Sequence, residues 1–205
     1  MARDLTSIVK RSRREGYALH PKAHKVLVKR TNAPGTTPGS TRRAKPSQYA
    51  LQLREKQKVK RLYGLLERQF TKLMKEAART RGESGITLLE YLERRLDNVV
   101  YRAGFAISRR AARQLVTHGH FMLNEKRTDT PSIRLKTGDQ IVLREAAKKS
   151  DYFKSIDDLS PPPALVPTWL KVDRRNLKIE VSGKPTRDDT EPDIKEQLIV
   201  EFYSR

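Results

Sequence analysis

Charge limits the folds open to this chain more than any other property. Its 205 residues include 44 Lys and Arg against 24 Asp and Glu, which gives a net charge of +20 at pH 7. The excess is uneven, because residues 1–150 carry +22 and residues 151–205 carry −2. A folded surface with that much self-repulsion needs an anionic partner to relieve it, and phosphate contacts make such binding salt-sensitive. We therefore expect a body that faces nucleic acid and a tail that faces something else.

Composition excludes several classes of protein. The chain has no cysteine, which rules out disulfides, thiolate catalysis and cysteine-ligated zinc or iron–sulfur centres. No apolar run approaches the roughly 20 residues of a membrane span, and the first residues lack the apolar stretch of a signal peptide. The sequence pI of about 10.4 exceeds the value of about 9 that flags nucleic-acid binding. We expect no membrane partner.

Residues 1–46 are predicted to form a basic, largely extended N-terminal arm. Turn-forming residues fill positions 31–41, and a basic cluster lies on each side of them. Such a segment buries too little apolar surface to fold alone. Either it is disordered or it orders against RNA, as arginine-rich segments often do, and we favour the second. Its candidate RNA-binding cations are Arg11, Arg13, Arg14, Arg42, Arg43 and Lys45.

Residues 47–81 have the spacing of one amphipathic helix. Ser47 is a candidate N-cap, and Gly82 and Gly85 end the run. The apolar positions, three or four residues apart, are Leu62, Leu66, Phe70, Leu73 and Ala77. The helix is basic nearly all round over residues 54–61, which favours a phosphate-facing surface over a merely solvated one. The cations of that stretch are Arg54, Lys56, Lys58, Lys60 and Arg61.

Two shorter helices should follow. Thr87 and Glu90 form a capping box that predicts a helix start, and Gly104 is placed to end that helical region. Ser108 is a candidate N-cap for a third helix over residues 109–118. The i, i+3 and i+4 spacing of its arginines predicts one shared outward face, made of Arg109, Arg110 and Arg113.

Short strands are predicted in the rest of the chain. The two runs after Gly119 are separated by turn signals, one of them at Asn124-Glu125. Residues 161–163 are three prolines, which mark a stiff connector. The predicted strands lie at residues 121–123, 140–143, 169–172, 177–181 and 198–203.

Catalysis receives little support from the sequence. The acidic residues at 188–193 lie in a Pro-interrupted loop, where carboxylates lack the pocket that acid–base chemistry needs. His20 and His24 have no further ligands nearby to complete a zinc site. His118 and His120 are open to two interpretations, neutral donors to phosphate or ribose and capping of the preceding helix. We expect no catalytic residue, cofactor or metal.

Structured RNA is the partner that the residues favour. A-form RNA is read through its shape, phosphates and 2′-hydroxyls, for which the forked guanidinium group of arginine is suited. Aromatic residues make up only 6% of the chain, which argues against a single-strand stacking platform. The arginine helix and the turn beyond it supply further candidate RNA-binding residues, namely Gln114, His118, His120, Lys126 and Arg127.

Residues 94–144 resemble the RNA-binding domain called the S-four domain. The sequence motifs that carry this resemblance include Arg95-Leu96-Asp97-Asn98-Val99-Val100-Tyr101-Arg102, Ala112-Arg113-Gln114-Leu115-Val116 and His118-Gly119-His120. The remainder, from about residue 47 to the end, is similar to the small-subunit ribosomal protein S-four family. It shares with that family the sequence motifs Leu53-Arg54-Glu55-Lys56-Gln57-Lys58, Tyr63-Gly64-Leu65-Leu66-Glu67-Arg68-Gln69-Phe70 and Glu196-Gln197-Leu198-Ile199-Val200-Glu201-Phe202-Tyr203-Ser204.

The resemblance implies an α+β fold. A mainly helical body, residues 47–93 and 145–205, would contain the small RNA-binding domain, residues 94–144, as an insertion. The protein would bind a junction in the 5′ domain of small-subunit ribosomal RNA, nucleate assembly, and line the mRNA entrance with Arg42, Arg43 and Lys45. It would contact ribosomal protein S-five at an interface tied to decoding fidelity. Because the sequence shows no transit peptide, we expect a ribosome in the bacterial cytoplasm, or a plastid-encoded product.

Two departures from the family pattern matter. Many relatives carry four zinc-binding cysteines near the N-terminus, and this chain has none. The usual Asn-Gly hairpin turn is Asn124-Glu125 here. A glutamate is strained at positive φ, so a different turn type is expected.

Two other functions compete with a structural ribosomal role. An RNA-modifying enzyme can use the same small domain as its RNA handle, but it needs a separate catalytic domain larger than the remainder here. A free-standing RNA-binding protein or translational repressor is the other alternative. The motifs Tyr63–Phe70 and Leu198–Ser204, which resemble the ribosomal protein family, argue against it.

Overall fold

The computed structural model describes residues 6–30, 32–35, 45–163 and 165–204. The chain divides into two compact units. The first unit combines the described residues up to Leu88 with those from Asp193 onward, and the second spans Leu89–Pro192. The fold is α+β, as predicted. In chain order, the helices before the sheet are α1 (Ile8–Glu15), α2 (His24–Lys29), α3 (Gln48–Leu62), α4 (Glu67–Arg79), α5 (Ser84–Glu93), α6 (Leu96–Arg102) and α7 (Arg109–Thr117).

The predicted arm is helical in part rather than extended. Ser7 caps α1, and a 3₁₀ turn over Pro21–Ala23 leads into α2. The serine hydroxyl of Ser12 donates to Ile8 and accepts from the backbone of Leu19, so it is buried between the two segments. This local hydrogen bonding gives the segment an order that its composition does not indicate.

The single helix expected over residues 47–81 is two helices. Ser47 is its N-cap as predicted, since its hydroxyl accepts from the amide of Ala50 at 3.2 Å. The break comes at Gly64, whose φ of 66° is left-handed and therefore ends α3. Tyr63 and Leu65 on either side are buried, so the apolar spacing continues across a turn that periodicity alone does not reveal.

The predicted helix start at Thr87 is wrong. Helix α5 begins at Ser84, and the hydroxyl of Thr87 donates to the carbonyl of Glu83 at 3.0 Å inside the helix. The capping-box pattern therefore falls within a helix that had already begun.

The run at residues 198–203 is helical, not a strand. Beyond three single-turn helices, α8 (Glu145–Lys148), α9 (Asp151–Lys154) and α10 (Ile156–Leu159), the last helix is α11 (Glu196–Tyr203). It packs on α3, where Gln52 donates to Glu201 at 2.7 Å and Ile199 is fully buried. A short apolar run is compatible with the helical period of about 3.6 residues and with the strand period of about 2 residues. The packing of this segment on α3 favours the helix.

An ionised glutamate holds α3, α4 and α11 together. Glu67 at the start of α4 accepts from Lys56 at 2.6 Å, from Lys60 at 2.7 Å and from the hydroxyl of Tyr203 at 2.9 Å. The ammonium group of Lys56 also lies 4.5 Å from the ring centroid of Phe202. One carboxylate thus receives donors from both neighbouring helices.

The second unit is built on a five-stranded antiparallel sheet. Its strands are β1 (Phe121–Leu123), β2 (Lys126–Thr128), β3 (Gln140–Leu143), β4 (Leu170–Asp173) and β5 (Lys178–Val181), in the order β2-β1-β3-β5-β4. Because β5 pairs with β3, residues 145–192 join this unit, whereas the sequence analysis places them with the helical body. Phe105, Val116, Phe121, Leu135 and Ile179 are fully buried in its core.

The β1–β2 hairpin keeps the turn that was expected to change. Leu123 pairs with Lys126, and the two residues between them have φ values of 47° and 67° at Asn124 and Glu125. Two consecutive positive φ values define the type I′ turn. The side chain of Asn124 secures it by donating to Asp139 and accepting from the amide of Gln140.

The strain at Glu125 leads to a prediction. Glu125→Gly should raise the free energy of unfolding by about 0.5–1 kcal/mol, because glycine adopts positive φ without the cost that a Cβ carries. Urea unfolding measures the change. Glu125→Ala removes the same carboxylate but keeps the Cβ, so it should give no gain. An equal gain in both variants would show that the charge, and not the backbone, was unfavourable.

Glu67 predicts how stability depends on pH. Burial raises its pKa, but the hydrogen bonds from Lys56, Lys60 and Tyr203 outweigh burial and lower the pKa to about 2 from an ordinary 4.5. The native state therefore binds this proton more weakly than the unfolded chain. Its contribution to stability is complete above about pH 4.5 and is lost as the pH falls toward 2.

The variant Glu67→Gln tests this dependence by urea unfolding between pH 7 and pH 2.5. The deficit of the variant relative to wild type should be largest at neutral pH and should shrink below pH 4. A deficit of constant size across the range would contradict the lowered pKa.

Candidate nucleic-acid interface

Helix α7 places its polar residues in two rows. Ser108 begins the helix as predicted, because its hydroxyl accepts from the amide of Ala111 at 3.2 Å. Ala112 and Val116 are fully buried against the core of the unit. The residues on the remaining surface separate by their i, i+4 spacing into one row with Arg109 and Arg113 and another with Arg110, Gln114 and His118.

The first row points into an ionic network, so the prediction of three outward arginines is wrong for two of them. Arg113 donates to Asp97 at 3.3 Å, and Asp97 is already held by both nitrogens of Arg95 at 3.0 and 2.9 Å. Arg109 donates to Asn98 at 2.9 Å and to Glu191 at 3.0 Å. The side chains of Arg109 and Arg113 are each only 13% exposed. Both arginines therefore serve the packing of α6 against α7.

The second row is exposed along its whole length. Arg110, Gln114 and His118 follow one another at intervals of four residues, and each is exposed to solvent. The row offers a guanidinium group, an amide and an imidazole in a line about 12 Å long. It has the donors that contact phosphate and ribose.

Two further basic side chains contact Gly119 at the end of α7. Its φ is 68°, and a Cβ there would lie 2.8 Å from Nε of Arg127, so the guanidinium group rests against the glycine. Arg144 donates to the carbonyl of Gly119 at 3.1 Å, and its own amide donates to the carbonyl of His120 at 2.9 Å. The hairpin and the helix end thus meet in one basic corner, formed by His118, His120, Lys126, Arg127 and Arg144.

Arg144 is the member of this corner that sequence reasoning missed. It directly follows β3, and the only signal in the sequence was a cation at the end of a predicted strand. Burial, the neighbouring His118 and Arg144 lower the pKa of His120. Its imidazole is therefore neutral at pH 7, with one nitrogen to donate and one to accept.

The cations in the basic stretch of α3 are paired with carboxylates of the same unit. Lys56 is buried and bound to Glu67. Lys60 is partly exposed and binds the same carboxylate. Lys58 pairs with Glu55 at 2.8 Å and donates to the carbonyl of Asp193 at 2.7 Å.

Arg54 and Arg61 both donate to Glu15, the last residue of α1. The side chain of Glu15 is inaccessible to solvent, and this burial raises its pKa while the two arginines oppose the shift. With these contacts the cations of residues 54–61 hold α1 and α4 to α3, and the side chain of Arg54 remains 40% exposed. That this stretch also faces phosphate stays a prediction.

The cations of the arm are divided. Arg13 donates to the carbonyl of Asn32 at 2.9 Å, and Arg11 donates to Thr6 at 3.1 Å. Arg14 and Lys45 are exposed. Arg42 and Arg43 lie outside the described residues.

Over the described parts of the chain, no three His, Asp or Glu side chains come together as a metal site. In the same residues, no helix combines the length and the apolarity of a membrane span.

Comparison with known proteins adds to this geometry. Residues 4–93 match the family described as "Ribosomal protein S4/S9 N-terminal domain", and residues 94–141 match the "S4 domain". The chain is 50% identical to the "Small ribosomal subunit protein uS4" of Chlorobaculum tepidum and 47% identical to that of Roseiflexus castenholzii, each over the full length of both chains. The protein of the same name from Herpetosiphon aurantiacus is 46% identical, also over full lengths.

The two rows of α7 should respond differently to alanine. Arg110→Ala removes an exposed side chain, and it should flatten the salt dependence of RNA binding by about one unit. Arg113→Ala removes a charged hydrogen bond to a buried carboxylate, and it should lower the free energy of unfolding by roughly 1–2 kcal/mol. Urea unfolding and a salt titration of RNA binding, applied to both variants, measure the two effects. The division of α7 into an internally bound row and an exposed row is contradicted if only Arg113→Ala changes the salt slope and the free energy of unfolding of that variant equals the wild-type value.

Proposed function

Because the chain belongs to the ribosomal protein S4/S9 family, we propose that it is a structural constituent of the small ribosomal subunit that binds ribosomal RNA. The observation that carries the proposal is the exposed basic corner of the second unit together with the Arg110 row. Two family matches cover residues 4–93 and 94–141, and relatives named small ribosomal subunit protein uS4 match over full lengths. Family and site thus support the same partner.

Shape and phosphate readout is the mode of binding that fits this site. The basic corner combines the two arginines Arg127 and Arg144 with neutral His120, and none of its five residues is Phe, Tyr or Trp. The ring of Phe153 lies beside His120 but is buried in the core. Guanidinium groups bind phosphate by paired hydrogen bonds, and neutral imidazole suits the 2′-hydroxyl. The target is therefore base-paired, folded RNA.

The finer role follows from the resemblance to the family. The protein would bind the junction in the 5′ domain of the small-subunit RNA and nucleate assembly of the subunit. Arg42, Arg43 and Lys45 would face incoming mRNA at the entrance, with consequences for decoding fidelity. Ribosomal protein S-five would contact the part of the chain that is close to neutral, the last 55 residues with a charge of −2.

A salt titration of filter binding tests the RNA target. The purified chain should bind the 5′ domain of small-subunit ribosomal RNA in the nanomolar range, with a salt slope that indicates several phosphate contacts. This binding should survive an excess of duplex DNA of equal length. Equal competition by DNA would mean that the charge of +20 traps any polyanion, and the proposal would fail.

Co-sedimentation separates the ribosomal role from that of a free-standing RNA-binding protein or repressor. A structural constituent should remain with the small subunit in a sucrose gradient at high salt, because buried phosphate contacts and many cations hold it at once. A chain that dissociates fully while it still binds the isolated RNA would favour the alternative.

A further inference from the structure

We propose that α4 carries an additional RNA-binding surface, which we call the α4 basic face. It consists of Arg68, Lys72, Lys75 and Arg79. This inference rests on the proposed function, since it assumes an RNA partner, and it assigns binding to a helix that sequence reasoning used only for its apolar stripe. The partner is the phosphate backbone of folded RNA, contacted without regard to base sequence.

Spacing places the four cations on one side of the helix. The intervals of four, three and four residues are those of one helical face, and the face is about 16 Å long. All four residues are exposed. The opposite side of α4 is fixed in the core of its unit, because Phe70, Met74 and Ala77 are buried. The helix therefore cannot turn the cations away from solvent without exposing its apolar stripe.

The four cations border one shared space on the surface of α4. It measures about 560 Å³, and its other lining residues are Glu67, Thr71 and Glu76, all from the same helix. The space lies between side chains and is open to solvent, so several cations can approach one strand of phosphates at the same time.

Two carboxylates lie beside the cations but do not cancel them. Glu67 is bound by Lys56 and Lys60, both from α3, so its negative charge is already balanced by cations outside the face. Glu76 then leaves a net charge of +3 on the face. This contrasts with the cations of α3, which Glu15, Glu55 and Glu67 bind.

Repulsion within the face adds a further argument for an anionic partner. Arg68 and Lys72 form a like-charged i, i+4 pair, as do Lys75 and Arg79. Such pairs destabilise a helix, and a phosphate placed between two cations removes the repulsion. The face also has no aromatic ring, so it lacks the means to stack an unpaired base.

The test is a quadruple variant, R68A/K72A/K75A/R79A, titrated with the 5′ domain of small-subunit ribosomal RNA. Alanine is the best helix former, so α4 should persist, and circular dichroism with urea unfolding checks this. The salt slope of binding should fall by about 3 units, because each lost phosphate contact removes somewhat less than one. The dissociation constant at fixed salt should rise at least tenfold.

A matched control removes four exposed cations elsewhere, K136A/K171A/R175A/K184A. It lowers the net charge by the same amount, so it reports the effect of overall charge alone. The inference is overturned if the two quadruple variants lose the same salt slope. If wild type itself shows no preference for the RNA over duplex DNA, the proposed function fails instead, and the two failures remain distinguishable.

Amine labelling gives a readout that does not depend on a variant. Bound RNA should protect Lys72 and Lys75 of the wild-type chain from an acylating reagent, while Lys171 and Lys184 stay reactive. Protection of none of the four lysines would overturn the proposal. Protection of Lys72 and Lys75 by polyglutamate but not by RNA would assign the face to an acidic protein and would overturn it as well.

Discussion

Pairing between a few carboxylates and a large excess of cations is the constraint on which both units depend. A chain with 44 basic residues and 24 acidic ones has too few acids to neutralise its surface. The structure places several of those acids at the contacts between helices instead. Glu67 holds α3, α4 and α11, Glu15 holds α1 against α3, and Asp97 holds α6 against α7. Each of these acids binds two cations.

The same pairing decides which cations are presented to a partner. Arg109 and Arg113 lie on the same helix as Arg110, yet the first two are bound to carboxylates and the third is exposed. In the first unit the cations of α3 are bound, whereas those of α4 are exposed. The basic surface that remains is therefore a selected part of the charge in the sequence. Long-range attraction depends on the whole net charge, while we propose that contact with phosphate is made by the selected residues.

Backbone geometry positions the selected groups. Gly119 ends α7 in a left-handed conformation and leaves room for the guanidinium group of Arg127. Asn124 and Glu125 turn the hairpin so that Lys126 and Arg127 return beside the helix end. The pairing of β5 with β3 brings residues 145–192 into the same sheet. The basic corner thus depends on strand register and on a single glycine as much as on charge.

The sequence alone indicated the class of partner through its net charge, and it indicated the α+β fold through its sequence motifs. It also predicted the caps at Ser47 and Ser108, because a cap depends on hydrogen bonds between residues close in the chain. It also selected Arg110, Gln114, His118, Lys126 and Arg127, which are exposed in the structure. Tertiary structure alone decided that residues 198–203 are helical, that α3 and α4 are separate, and that Arg109 and Lys56 are bound internally. The physical reason is that these outcomes depend on groups distant in the chain: α11 lies on α3, Glu191 reaches Arg109 from 82 residues away, and Glu67 and Tyr203 meet across 136. Local spacing gives the face of a helix that a cation occupies, and only the fold brings the carboxylate that binds it.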